Sequence, residues 1–183
     1  MKLLLHVCCA PCSVACISSL RDEGIEPALF WYNPNIHPFS EYAKRLDAFT
    51  GYADSLGLPV VVDDQYGLNQ FINDIVQNTE GKFSVSALDI PNRCTFCYRM
   101  RMEKAALTAK ENSFDAFCTT LFISPYQSHE LLKEEATAAA EKHGVTLLYR
   151  DFRPLFREGR AEARVLGLYS QKYCGCIFSE AQR

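Results

Sequence analysis

Short apolar runs alternate along this chain with longer stretches of helical spacing. Leu3–Val7 is closed by Cys-Cys-Ala-Pro-Cys-Ser, and Val14–Leu20 then continues at helical intervals as far as Gly24, which predicts strand, loop and helix. Ala28–Tyr32 is a second strand, stopped by Asn33-Pro34-Asn35, and Ser40–Leu56 is a helix with Ser40 as its cap and Gly57 as its end. Val60–Val62 makes a third strand, Leu68–Val76 a helix, and Cys94–Ala109 a helix that opens on its own cysteine pair. Phe114–Leu121 is the next strand, Ser128–Lys142 a long helix capped by Ser128 and stopped by Gly144, and Val145–Tyr149 the last strand. Strands alternating with helices imply parallel pairing through right-handed crossovers. The expected fold is therefore α/β, a single domain over residues 1–183 with a mostly parallel, Rossmann-like sheet and helices on both faces. Ligands of such sheets bind at the carboxyl ends of the strands. Cys8 and Cys9 fall at that edge, as do Ser124-Pro125-Tyr126 and Asp151-Phe152-Arg153. There is no repeat or long linker, so the last thirty residues are expected to pack on the same domain.

Composition changes this picture at the cysteines. A chain of 183 residues with 48% apolar content buries a core without crosslinks. Nine cysteines exceed what that core needs, and an odd number cannot all pair. The Met-Lys-Leu-Leu-Leu start is stopped by His6 and Pro11 with no small-residue cleavage site, so it reads as a buried strand rather than a leader. No apolar run is long enough to span a membrane. A cytoplasmic protein is expected, and in that reducing setting close cysteine pairs are metal ligands or redox groups.

Charge adds a partner. The net charge of −3 argues against a generic nucleic-acid binder, yet residues 93–110 carry +4 and residues 150–172 carry +3, which leaves −10 on the remainder. Two basic segments beside cysteine pairs would draw phosphates to one face.

Cys94-Thr-Phe-Cys97 has the spacing that aims two sulfurs at one metal from a helix. In Cys174-Gly-Cys176 the glycine relieves crowding where two thiolates turn to a common centre. Adjacent Cys8 and Cys9 would point to opposite sides of an extended chain, so they serve one metal only if the chain turns, as Pro11 permits, or else serve two neighbouring centres. Cys16 and Cys118 lie within apolar runs and read as core, and Cys12 is left open. A closed structural zinc site uses four thiolates, so six point to a cluster, a second metal, or both. A thiolate zinc protein that binds nucleic acid without redox chemistry is the alternative.

On these residues the chain resembles the QueH family of epoxyqueuosine reductases. The shared motifs are Leu-His-Val-Cys-Cys-Ala-Pro-Cys-Ser (5–13), Tyr-Asn-Pro-Asn-Ile-His-Pro (32–38), Arg-Cys-Thr-Phe-Cys-Tyr (93–98), Thr-Leu-Phe-Ile-Ser-Pro-Tyr (120–126), Asp-Phe-Arg (151–153) and Gly-Leu-Tyr-Ser-Gln-Lys-Tyr-Cys-Gly-Cys (167–176). The resemblance implies cobalamin-independent reduction of epoxyqueuosine to queuosine at the tRNA wobble position, with a [4Fe-4S] cluster beside a separate iron. It implies as partners a tRNA anticodon stem-loop and an external electron donor. It also implies kinship with nucleotide-binding α/β proteins such as the PP-loop enzymes, but Cys-Cys-Ala-Pro-Cys stands where those carry Ser-Gly-Gly, against ATP binding.

Within that frame Cys8, Cys9, Cys94, Cys97, Cys174 and Cys176 are the expected ligands, and Asp151 the expected completion of the iron site, its competing role being a partner for Arg153. Candidate proton donors are Tyr98, Tyr126, His129 and His37. Arg93, Arg99, Arg101, Arg153 and Lys172 are candidate phosphate contacts, and Tyr32 or Tyr173 a platform for the extruded base.

Overall fold

The computed structural model describes residues 1–78 and 90–182. Its centre is β1 (Leu3–His6), whose four side chains are all buried, as the unbroken apolar run demands of a strand covered on both faces. β1 pairs in parallel with β2 (Ala28–Trp31) on one side and β4 (Ala116–Thr119) on the other. β3 (Val60–Val62) and β5 (Thr146–Leu147) complete an all-parallel sheet of order β3-β2-β1-β4-β5. The chain thus winds outward from β1 to β3, returns past it to β4, and winds outward again. With right-handed crossovers the two directions place helices on opposite faces. α1 (Ala10–Asp22) packs on α2 (Phe39–Leu56) and α6 (Phe156–Val165), whereas α4 (Ile90–Glu111) packs on α3 (Leu68–Asn78) and α5 (His129–His143). The α/β parallel architecture expected from the sequence is the one found.

Several boundaries differ for local reasons. α1 starts at Ala10, four residues before the apolar spacing indicates, because Pro11 occupies the first turn, where its missing N–H is not needed. α2 is preceded by Pro38 rather than capped by Ser40, which lies inside the helix. Ser128 does stand at the N-cap of α5, although its hydroxyl makes no capping bond. α4 begins at Ile90, so Cys94 and Cys97 sit in its second turn instead of opening it. The strand expected at Phe114–Leu121 ends at Thr119, whose hydroxyl accepts from Leu121 N and starts a 3-10 turn over Thr120–Ile123. The last thirty residues do pack on the domain: α6 lies on α1, and α7 (Ile177–Ala181) buries Phe178 against Phe71 and Ile75 of α3. Among the described residues no helix is long and apolar enough to cross a membrane.

Candidate metal centre

The order of strand addition reverses between β1 and β4, and the crevice at such a switch point is where ligands bind. Cys8 leaves β1 at that point. Its backbone N–H donates to the Thr120 hydroxyl at 3.0 Å, and the same hydroxyl lies 3.3 Å from the Cys8 sulfur, so the chain after β4 holds the chain after β1. Beneath them His6 joins three strand ends: Nε2 donates to the Tyr32 carbonyl at 3.2 Å, and Nδ1 accepts from Thr119 Oγ1 at 2.8 Å. Burial, reinforced by the Arg101 charge, pushes the His6 pKa down to about 3 and keeps the ring neutral.

The chain bends at Cys8, and Cys9 is extended immediately before α1. This turn resolves the problem of adjacent side chains, since Cys8 Sγ and Cys9 Sγ are 3.9 Å apart. Cys12, one turn into α1, joins them, and the three sulfurs lie within 4.8 Å of one another. Hydrogen bonds from the thiols of Cys12 and Cys9 lower the Cys8 pKa well below its usual value, helped by the charge of Arg101. Burial pushes Cys9 up to about 12, and the neighbouring Cys8 sulfur holds Cys12 high. Within the trio the thiolate form is thus favoured at Cys8 and disfavoured at Cys9 and Cys12, and a metal would displace the protons the sulfurs hold.

The other two pairs lie on α4 and at the start of α7. Cys174 Sγ and Cys176 Sγ are 3.6 Å apart across Gly175, whose φ of +119° is open to glycine alone. Arg45 is buried on α2, paired with Glu41 at 2.8 Å, and donates to the carbonyls of Cys174 (3.0 Å) and Tyr173 (3.1 Å), fixing this loop from behind. The His37 N–H donates to the Gly175 carbonyl at 2.7 Å, and the Tyr173 hydroxyl donates to the His37 carbonyl. The Cys176 thiol, the Cys176 backbone N–H and the Ser179 hydroxyl bring Cys174 down to about 5. Cys94 and Cys97 are raised, mainly by burial and then by neighbouring charges that include Cys174, and Cys97 reaches about 11.

The trio and the two pairs share partners. Gln171 Nε2 donates to Cys9 Sγ at 2.8 Å and reaches within 4.0 Å of Cys12 Sγ, three residues before Cys174. Arg101 Nη1 is 3.8 Å from Cys97 Sγ, and its charge reaches Cys8. Cys16 and Cys118 lie in the core on α1 and β4. Cys174 is exposed and Cys8 partly so, which opens the sulfur region to solvent.

The other expected site residues are distributed around this edge. Asp151 is exposed and bound to Arg153, with carboxylate oxygens 2.6 and 2.8 Å from the guanidinium, which hold its pKa down to about 2. Tyr98 is buried, its hydroxyl donating to Gln127 at 2.6 Å and accepting from Ser128 N at 3.2 Å. Tyr126 is 84% exposed and meets Phe156 edge-on. His129 pairs with the Tyr149 hydroxyl at 2.9 Å, and His37 is enclosed by Tyr66 and Phe71. Tyr32 is buried beneath Lys104 and beside Phe30, and Tyr173 lies beneath Arg45. Of the arginines, Arg93 and Arg101 are buried, Arg99 forms a bidentate pair with Glu135 at 2.9 Å, and Arg153 is held by Asp151; Lys172 is exposed. A cleft of about 520 Å³ beside α4 shares Phe71, Phe96 and Met100 with the apolar cluster around Cys97 and Cys176.

Sequence reasoning left Cys12 open, although Cys9-Ala-Pro-Cys12 repeats the two-residue spacing of Cys94/Cys97. Thr120, Gln171 and Arg45 carry no such signal, because their partners come from distant parts of the chain.

Fold and site together define an α/β protein that gathers three thiols, Cys8, Cys9 and Cys12, at the switch point of a parallel sheet, a donor set for a soft metal. A model of the family described as epoxyqueuosine reductase QueH matches residues 3–182. The epoxyqueuosine reductase QueH of Dehalococcoides mccartyi is 34% identical over 182 residues, covering 100% of this chain and 94% of the relative. That of Thermotoga maritima is 33% identical over 185 residues, covering 99% and 91%, and that of Acinetobacter baylyi 35% over 184, covering 97% and 80%. The chain belongs to the QueH family.

Proposed function

We propose that this chain is an epoxyqueuosine reductase that removes the epoxide oxygen of epoxyqueuosine at the tRNA wobble position, without cobalamin, as the last step to queuosine. The observation that carries the reading is the Cys8, Cys9 and Cys12 trio at the switch point of a chain that belongs to the QueH family. The donor chemistry fits iron. Thiolates around one ion at bonds of about 2.3 Å stand about 3.8 Å apart, and the trio needs only a small contraction to reach that spacing. Cys94, Cys97, Cys174 and Cys176 would hold a [4Fe-4S] cluster, and Cys8, Cys9 and Cys12 a neighbouring iron.

Reduction of the epoxide to an alkene consumes two electrons and two protons and releases the oxygen as water. When bound, the iron–sulfur centre supplies the electron pair, drawn from an external donor, and an electrophilic metal for the oxygen. The chain's residues do the rest. Thr120 and Gln171 fix the trio, and Arg45 fixes the Cys174–Cys176 loop. Protons come from Tyr126 and His129 on the segment after β4, or from Tyr98 across the Gln127 contact. Asp151 must exchange its Arg153 pair to reach a metal. Phosphates of the anticodon arm meet the exposed cations, Lys172 and those of α6, in place of the buried Arg93 and Arg101.

Anaerobically purified protein is expected to contain iron and sulfide and to convert epoxyqueuosine in tRNA when given a chemical reductant. A colourless chain with stoichiometric zinc and no turnover would overturn this reading.

A further inference from the structure

Arg101 is 4% exposed, one helical turn after Cys97 on α4. Its Nη2 donates to Asn33 Oδ1 at 2.6 Å, its Nη1 is 3.8 Å from Cys97 Sγ, and its Nε has no partner. Asn33 in turn donates to the Val7 carbonyl at 2.9 Å, one residue before Cys8. Among the described residues no carboxylate lies within ion-pair distance of this guanidinium, in contrast to Arg45, which is equally buried and paired with Glu41. A buried cation with only neutral oxygen partners is strongly unfavourable unless an anion faces it. The group that does face it is a sulfur, Cys97, in direct contact.

We propose that Arg101 is a positioning residue, placed against Cys97 and tied through Asn33 to the chain that delivers Cys8, the fixed countercation of the metal-loaded sulfur centre, which makes electron uptake there easier. The inference rests on the function proposed above. Thiolates bound to metal cannot regain their protons, so loading turns the environment of Arg101 from mostly neutral thiols to permanent negative charge. Reduction then adds further negative charge. A guanidinium held against a sulfur opposes that rise, and net charge and hydrogen bonds to sulfur are among the factors that set the potentials of such centres. Asn33 aims the guanidinium by tying it to the chain that delivers Cys8.

The test compares wild type with Arg101→Met and Arg101→Lys, each reconstituted anaerobically with iron and sulfide and each also stripped with a chelator. Paramagnetic resonance during a reductive titration is expected to show a more negative midpoint potential for Arg101→Met at unchanged iron content, with Arg101→Lys recovering most of the shift. Thermal unfolding supplies the second arm: Arg101→Met is expected to lower the midpoint more in loaded than in stripped protein, because the countercharge has its full anion only when metal is bound. An unchanged potential in the loaded Met variant overturns the proposal. So does an equal loss of stability in both forms, or failure of Arg101→Met to fold in either, which would make Arg101 an ordinary anchor. Wild type that takes up no iron would sink the functional reading instead, and the stripped proteins would still report on Arg101 as an anchor.

Discussion

Two residues carry consequences out of proportion to their size. Gly175 holds φ at +119°, and a Cβ there would lie 3.0 Å from Arg45 Nη1 and 3.1 Å from Ile36 Cγ1. Gly175→Ala therefore combines backbone strain with displacement of the arginine that fixes the loop, at a cost of about 1–3 kcal/mol. Iron content is expected to fall together with the urea midpoint, whereas a variant with full iron would show that the loop tolerates a side chain. His37 is buried between Tyr66 and Phe71, and burial pushes its pKa down to about 4. The sign follows from linkage: the unfolded chain takes up a proton near pH 6.5 that the folded chain refuses until about pH 4. Stability contributed by the neutral ring is complete above pH 6.5 and lost as pH falls toward 4, and His6 adds a loss of the same sign toward about 3. Urea unfolding between pH 4 and 7 should show this slope in metal-free protein, and His37→Leu should flatten part of it.

At the scale of elements, what was legible followed the burial of apolar runs. β1, β2 and β3 are read from Leu, Phe and Val clusters, and α5 from its Gly144 stop. α6 was not legible, for a physical reason. Its buried face consists of Gly159 and Ala163, with Gly159 so close to α1 that a Cβ would come within 2.8 Å of Ala15, and such small residues leave no hydrophobic period in a segment rich in Arg and Glu. What the sequence did show there was charge, and the helix organises it. Arg157, Arg160 and Arg164 recur at i, i+3 and i+7, so they share one face, and no ion pair to them occurs among the described residues. If this face meets the anticodon arm, the triple change to Gln removes up to three phosphate contacts. The slope of log binding constant against log salt should then lessen by about two to three, with weaker binding at low salt. A triple variant with wild-type tRNA affinity and slope would remove α6 from the interface.

At the scale of the whole molecule, the topology decides which cysteines meet. Spacing along the sequence identifies pairs, but Cys12 meets Cys8 and Cys9 because the chain bends after β1 and enters α1 at the centre of the sheet, and the proposed partition into four and three sets that trio apart from the other two pairs. The sequence singled out six paired cysteines without dividing them and offered Arg153 as a partner for Asp151, but it could not show that Cys12 faces Cys8 and Cys9. The partition makes a separable expectation. Changing any of Cys94, Cys97, Cys174 or Cys176 to Ala should remove most acid-labile sulfide along with the iron, since a cube lacking a thiolate is easily lost. Changing Cys8, Cys9 or Cys12 should remove about one iron per chain, leave sulfide near its wild-type level, and still abolish turnover. Cys16→Ala and Cys118→Ala should keep iron, sulfide and turnover while losing stability through the cavities they open, by about 1–2 kcal/mol. Equal loss of sulfide across the first two sets would show that the seven thiols serve a single centre rather than two.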